Sequence, residues 1–432
     1  MTRRLHGWGA RLGACTLTLL MILLAACGTG AATQAPVSLT PTGAIAGGIN
    51  TATTTTTTTA ATRVQANTTA AGTAGAGAAT GPAKEVKVGV VLSLTGDAQV
   101  YGTTQRNGIQ LAVDEINSGN FIPGIRLVPV IEDDASKKDQ GITAFEKLIR
   151  TDNVIGIIGP TLSNTAVSTN QSAQAAGVPV LGVSNTAGGI VEIGDFIFRD
   201  SLSEAQVIPN TVRVAKEKRN LRRVAIIYGN DDAFTKAGYE VFKQALRDNG
   251  IQVTTEQTYA KGDTDFSAQL TEIKGTNPDA IVASSLANEG TQILVQARQL
   301  GINAPVIGGN GFNSPAVIQN GGPAAEGLIV GAAWNPNNDT PENRKFIEAY
   351  RARFGGAQPD QFAAQAYAGV YIMAEAMKAA GPNVDRRSLR DALAGLKGVP
   401  TVLGPFGFKD NRDADHPPVV QVVQGAKFDV LR

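Results

Sequence analysis

The stretch Val154-Ile-Gly-Ile-Ile-Gly-Pro-Thr-Leu-Ser-Asn-Thr-Ala166, running on to Gly177-Val-Pro-Val-Leu-Gly-Val-Ser-Asn-Thr186, decides the fold. It reads as a buried strand, a Gly-Pro turn, a helix that opens on Ser and Thr, and a second buried strand ending at Ser184-Asn185-Thr186. Parallel strands joined by a helix present their ligand loops at the strand C-termini. Two such loops therefore lie side by side, stocked with hydroxyls and free backbone N–H groups. That chemistry suits an anion such as a carboxylate.

The same alternation extends outward. Residues 86–92 form a mostly apolar strand, and Ile109, Ala112, Val113 and Ile116 fall on one face of a helix. Residues 127–131 are strand-like, 143–149 helical, and 196–199 a further short strand. The pattern restarts with strand 224–228, helix 234–246, strand 253–259, helix 266–273, strand 280–284, helix 291–300 and strand 305–308. Long helical stretches follow at 342–354 and 361–380, then short strands near 401–403, 419–423 and 427–430. Two consecutive β-α-β sets predict an α/β fold of two Rossmann-like, parallel-sheet lobes. About 350 residues from Lys84 onward are also more than one core usually organises.

The N-terminus sets the compartment. Arg3, Arg4 and Arg11 precede the apolar run Leu17-Thr-Leu-Leu-Met-Ile-Leu-Leu24, followed by Ala25-Ala26-Cys27-Gly28. These are the parts of a secretory signal, with an apolar run too short to span a membrane. Leu24-Ala-Ala-Cys27 also resembles the bacterial lipobox, which implies cleavage before Cys27 and a lipid thioether on its sulfur; an ordinary signal with an incidental cysteine is the alternative. From Gly28 to Ala83 the chain is Ala, Thr and Gly with Arg63 as its only charge, too poor in apolar bulk to fold. A tether of this length has a reach of about 40 Å. Residues 1–26 are thus expected as signal peptide and 27–84 as a lipid-anchored tether, placing the body outside the cytoplasm.

Composition excludes several functions. The chain has 2 Cys and 2 His. Cys15 and His6 leave with the signal, so Cys27 and His416 are the ones that remain. Disulfide frameworks, Ser-His-Asp or Cys-His catalysis and multi-His zinc sites are accordingly not expected. No GxGxxG follows a strand and no Walker A lysine is present, so the expectation is a non-enzyme without cofactor or metal. The formal net charge is +1 with dispersed Lys and Arg, which argues against nucleic acid.

A set of motifs then resembles one family. These are Leu94-Thr-Gly96 with Tyr101-Gly102, Ala112-Val-Asp-Glu-Ile-Asn117, Glu132-Asp-Asp134, Ile158-Gly-Pro160, Thr264-Asp-Phe-Ser-Ala268, Gln296-Ala-Arg-Gln-Leu-Gly301 and Leu403-Gly-Pro-Phe-Gly-Phe408. In this order and spacing they resemble the branched-chain amino acid (leucine/isoleucine/valine-type) substrate-binding proteins of ABC importers. The resemblance implies a type I periplasmic-binding fold, with crossovers near 199–203, 331–335 and 403–405. The lobes would then be 85–202 plus 332–402, and 203–331 plus 403–432. It also implies a monomer that carries an amino acid to ABC permease and ATPase subunits and touches the membrane only through its anchor. A same-fold sensor for a partner receptor, or a binder of an amide or urea, is the alternative.

Site roles follow from the resemblance. Ser163, Ser184 and Thr186 are expected to hold the ligand carboxylate, Glu289 its ammonium, and Tyr101, Phe234 and Phe362 its side chain. Phe234 stands where the family frequently has a tyrosine. Read from the residues alone, Ser163 and its neighbours equally suit a helix N-cap. Glu289 equally suits an exposed acid at a helix start, and Phe362 a core position. Trp334, at an expected crossover, suits hinge packing or a cleft lid, and packing is the favoured reading.

Overall fold

A computed structural model describes residues 83–431. The expected leader, the lipid-bearing Cys27 and nearly all of the tether lie outside the described residues. The first strand, β1 (Lys84–Leu92), is buried over its last five residues because both its faces are covered. Helix α1 (Gln99–Ser118) buries Ile109, Ala112, Val113 and Ile116, the face read from their spacing. It leads to β2 (Ile125–Asp133), parallel to β1 in register from Lys84↔Ile125 to Leu92↔Asp133. Helix α2 (Lys138–Arg150), β3 (Ile157–Ile158), α3 (Ser163–Ala175), β4 (Val180–Gly182) and β5 (Ile197–Arg199) complete a parallel sheet of order β2-β1-β3-β4-β5.

The chain then crosses to a second lobe. Helix α4 (Glu204–Arg219) starts at a capping box between Ser203 and Gln206. Next come β6 (Arg223–Gly229), α5 (Ala233–Asp248), β7 (Gln252–Tyr259), α6 (Ser267–Gly275), β8 (Ala280–Ser284), α7 (Ala287–Gln299), β9 (Val306–Gly308), α8 (Pro315–Gly321) and β10 (Ile329–Ala332). After β10 the chain returns to the first lobe with α9 (Pro341–Arg353), α10 (Gln361–Ala380), α11 (Arg386–Gly395) and the hairpin β11 (Val399–Thr401) and β12 (Gly404–Phe406). Helix α10 is buried on nearly every side and packs along α1, as its mostly apolar sequence requires. Strands β13 (Val419–Gln424) and β14 (Lys427–Val430) close the second sheet, of order β14-β13-β10-β9-β8-β6-β7, and run antiparallel at its edge.

The third crossover differs from expectation. Leu403, Phe406, Phe408 and Ala414 are buried in the first-lobe core, not the second. Phe408 stands edge-on to Phe198 of β5 at 5.1 Å and to Phe406 at 5.0 Å. A buried Arg199–Asp413 ion pair at 2.5 Å pins the same segment to the end of β5. The chain therefore crosses between His416 and β13, and residues 403–416 belong with the first lobe. Trp334 packs as read: its indole N–H donates to Asn343 Oδ1 at 2.8 Å, beside Phe346.

Candidate functional site: the cleft between the lobes

Strand β3 gives way at once to Gly159, whose φ of +114° is open to glycine. A Cβ there would stand 2.1 Å from the Val91 carbonyl oxygen, so the close approach of this turn to β1 also demands glycine. The turn swings the chain into α3. Its N-cap residue is Leu162, which supplies no side-chain cap, so the donors of the first helical turn are not taken by a capping side chain. Ser163 is therefore not the cap. Its Oγ instead accepts from the backbone N–H groups of Thr186 (3.2 Å) and Ala187 (3.3 Å). The hydroxyl proton remains as a donor, beside the positive end of the helix.

The two other predicted hydroxyls are committed within the protein. Ser184 Oγ donates to the Thr161 carbonyl at 2.7 Å and accepts from Gln105 Nε2 at 2.8 Å. Thr161 Oγ1 in turn donates to Gln105 Oε1 at 2.7 Å and accepts from the Ser93 N–H at 3.0 Å. This buried network locks the β3 and β4 loops together. Thr186 Oγ1 donates to Glu204 Oε1 at 2.9 Å. Ser184 and Thr186 thus shape the loop, and Ser163 is the hydroxyl left to offer.

These loops form one wall of a cavity shared by the lobes, with about 20 Å³ of free space. Thr161, Leu162, Ser163 and Ser184 line it from the first lobe, with Tyr101 and Phe362 packed 4.5 Å apart as its apolar side. Phe234, Leu286, Asn310 and Gly311 line it from the second. The lobes leave room there for little more than a water molecule, so a ligand is admitted only as they part. The lobes meet around it. The Tyr101 hydroxyl donates to the Gly311 carbonyl at 2.7 Å and accepts from the Ala287 N–H at 2.6 Å. Asn164, on the first turn of α3, donates to Asp232 Oδ2 at 2.5 Å and accepts from the Ala233 N–H at 2.8 Å. Asn310 donates to the Ser184 carbonyl at 3.3 Å and accepts from Gln361 Nε2 at 2.6 Å.

Of the predicted residues, the structure brings Tyr101, Ser163, Ser184, Phe234 and Phe362 to this cavity, with Thr186 directly behind it. It does not bring Glu289. That side chain accepts from the Gly262 N–H at 3.0 Å and lines a separate groove with Asp97, Asp263 and Asn288. Leu286, the N-cap residue of α7, is the part of this segment that reaches the cavity. Ala287, Asn288 and Glu289, which follow it, line the other groove. Sequence reasoning missed Leu162, Leu286, Asn310 and Gly311, although Asn310-Gly311 follows a parallel strand at its C-terminal end, where ligand loops occur. It also missed Glu204, whose position one residue after the Ser203 cap was the available signal. Burial pushes the Glu204 carboxyl up to about 7, against the opposing pull of the Thr186 hydroxyl, the Asn310 N–H and the Arg199 charge.

Two α/β lobes joined by three crossings, with a small polar-and-aromatic cavity between them, are the architecture of a solute binder. The family model for periplasmic binding proteins matches residues 85–427. The chain belongs to the periplasmic binding protein family. Among curated relatives of this binding protein, the Leu/Ile/Val-binding protein BraC3 of Rhizobium johnstonii is 28% identical over 330 residues, covering 76% of this chain and 89% of the relative. A leucine-, isoleucine-, valine-, threonine- and alanine-binding protein of Pseudomonas aeruginosa is 26% identical, covering 77% of this chain and 87% of that one. Among solved structures, the branched-chain amino acid transporter substrate-binding protein LivJ of Streptococcus pneumoniae, in complex with isoleucine, superposes with a TM-score of 0.76 at 28% identity. The match covers 80% of this chain and 98% of that one. The leucine-binding protein LivK of Thermotoga maritima gives 0.77 at 26% identity, with the same two coverages, 80% and 98%. The type I periplasmic-binding fold implied by the sequence motifs is thus the fold of this binding protein.

Proposed function

We propose that the cavity takes a free amino acid with a compact apolar side chain, of branched-chain type, and that the protein hands it to an ABC importer from the outer side of the cytoplasmic membrane. One observation carries the reading. Ser163 and the uncapped first turn of α3 present donors to a cavity whose apolar wall is Tyr101, Leu162, Phe234, Leu286 and Phe362. Donors at one end and an apolar wall at the other match a carboxylate joined to an aliphatic group. The names of the relatives support the same ligand class, and the family supports delivery to a permease. Cleavage before Cys27 and lipidation of its sulfur would hold the body beside that permease on its tether.

Calorimetry and thermal shift against leucine, isoleucine, valine, lysine, glutamate, urea and glucose test this. A ligand that binds the folded state raises the melting temperature. The three branched-chain amino acids are expected to raise it and the others not. A panel in which urea or glucose alone gives a shift overturns the reading.

A further inference from the structure

Glu204 opens α4, and its partners come from both lobes. Oε1 accepts from the Thr186 hydroxyl at 2.9 Å, on the β4 loop, and from the Asn310 N–H at 3.4 Å, on the β9 loop. The residue is 2% exposed, yet Oε2 has no hydrogen-bond partner in the protein. Gly309 lies against that oxygen: a Cβ built there would stand 3.3 Å away. Among the described residues the only charged group acting on Glu204 is Arg199. That guanidinium is already spent, with Nε on Asp413 and Nη1 on the Ala187 carbonyl. A buried carboxylate with hydroxyl and amide donors but no cation is half of an ion pair. Asn310, which donates to it, is itself a wall residue of the cavity.

We propose that Glu204, and not Glu289, accepts the ammonium group of the bound amino acid, and that capture of the ligand displaces a proton from this carboxyl. The assignment rests on the amino-acid reading above and deepens it. Ser163 and the α3 turn hold the carboxylate end of the ligand, and Glu204 holds the other charge where the two lobes meet. A molecule lacking the amine leaves Glu204 protonated and forfeits that bond, so the residue selects amino acids over plain carboxylic acids.

The direction of the pH dependence follows. Before capture, burial holds the carboxyl up to about 7. An ammonium beside it favours the ionised form, so below pH 7 the ligand must expel a proton in order to bind. Affinity is therefore expected to rise by up to about tenfold per pH unit below 7 and to level off above.

The test is titration calorimetry with leucine and with 4-methylpentanoate, its analogue without the amine, in buffers of unlike ionisation heat at pH 6.5 and 7.5. Wild type is expected to release a proton on binding leucine at pH 6.5 and to bind 4-methylpentanoate far more weakly. Glu204→Gln is expected to weaken leucine at least about tenfold, as for a buried charge pair that has lost one partner, with no proton released and little change for 4-methylpentanoate. Leucine binding to wild type without proton release at pH 6.5 overturns the assignment and needs no variant to fold. So does a Glu204→Gln protein with wild-type affinity, or a Glu289→Gln protein that alone loses it. Failure of leucine, isoleucine and valine to bind at all overturns the amino-acid reading itself and removes this assignment with it.

Discussion

At the scale of single residues, the site divides into groups that build it and groups that offer bonds to a ligand. Tyr101 does both, since its ring lines the cavity and its hydroxyl joins the lobes through Gly311 and Ala287. Burial pushes that phenol well up from its ordinary value, so it stays protonated and can donate and accept at once. Tyr101→Phe removes a shared hydroxyl and leaves two buried backbone groups unpaired in the joined state, a loss of about 1–3 kcal/mol. Leucine affinity is expected to fall by roughly 5- to 150-fold while the fold survives; calorimetry with unchanged affinity would show that this bridge does not stabilise the bound form. Ser163→Ala should likewise weaken leucine about tenfold, as expected for a hydrogen bond to a charged group, and should also lower the melting temperature, because the Thr186 and Ala187 N–H groups lose their acceptor. A lower melting temperature with unchanged leucine affinity would assign Ser163 to the β4 loop alone. Ser163, Tyr101 and Phe362 were legible because each sits at a fixed offset from a strand end or motif. Glu204 was not, because its partners are Asn310, far along the chain, and Thr186, on the other lobe, and no local pattern encodes either.

At the scale of elements, the strand–turn–helix unit from β3 to α3 controls the cavity. Gly159→Ala would put a methyl group against the Val91 carbonyl and force a residue with a side chain to hold a φ of +114°. Destabilisation on the order of 2 kcal/mol or more is expected, read as a lower urea midpoint. An unchanged midpoint would mean that the turn relaxes without disturbing β1. Element order was largely legible because parallel strands buried on both faces write apolar runs, and amphipathic helices write a 3.6-residue period. The expected strand 154–158 is shorter, at Ile157–Ile158, since only those residues pair with β1 and β4. Helix α4 escaped notice despite its Ser203–Gln206 capping box, because Pro209 and a charged second half mask its apolar face. The short α8 and α11 carry too few apolar positions for a period to show.

At the scale of the molecule, the two lobes were legible from the repeated β-α-β pattern, but the third crossing was not. Which sheet claims Leu403, Phe406 and Phe408 is settled by Phe198 and Arg199, some two hundred residues earlier, and no local pattern encodes that pairing. The whole molecule also carries a pH signature. Burial raises the carboxyls of Glu204 and Asp360 to about 7 and that of Asp200 well above its ordinary range, and raises Asp134 and Asp232 too. For an acid whose folded pKa lies above its unfolded one, the folded state holds the extra proton. Stability then declines as pH rises from the unfolded value, near 4, through the folded value. His416, lowered chiefly by burial, opposes this below about 6.5. Acids held below their ordinary range, such as Asp133 and Asp279, are already ionised by pH 5.5. The protein without ligand is therefore expected to melt at a higher temperature at pH 5.5 than at pH 7.5, and a rise across that interval would contradict the buried-acid account.

The partners of the Tyr101 hydroxyl are both main-chain groups. Through this one hydroxyl the first lobe grips the second by the course of its backbone, whatever side chains that backbone carries. Substitutions at Leu286 or Phe234 can redraw the pocket's shape without touching the clasp. A lineage of such proteins is free to exchange one nutrient for another while the mechanism of capture stays the same.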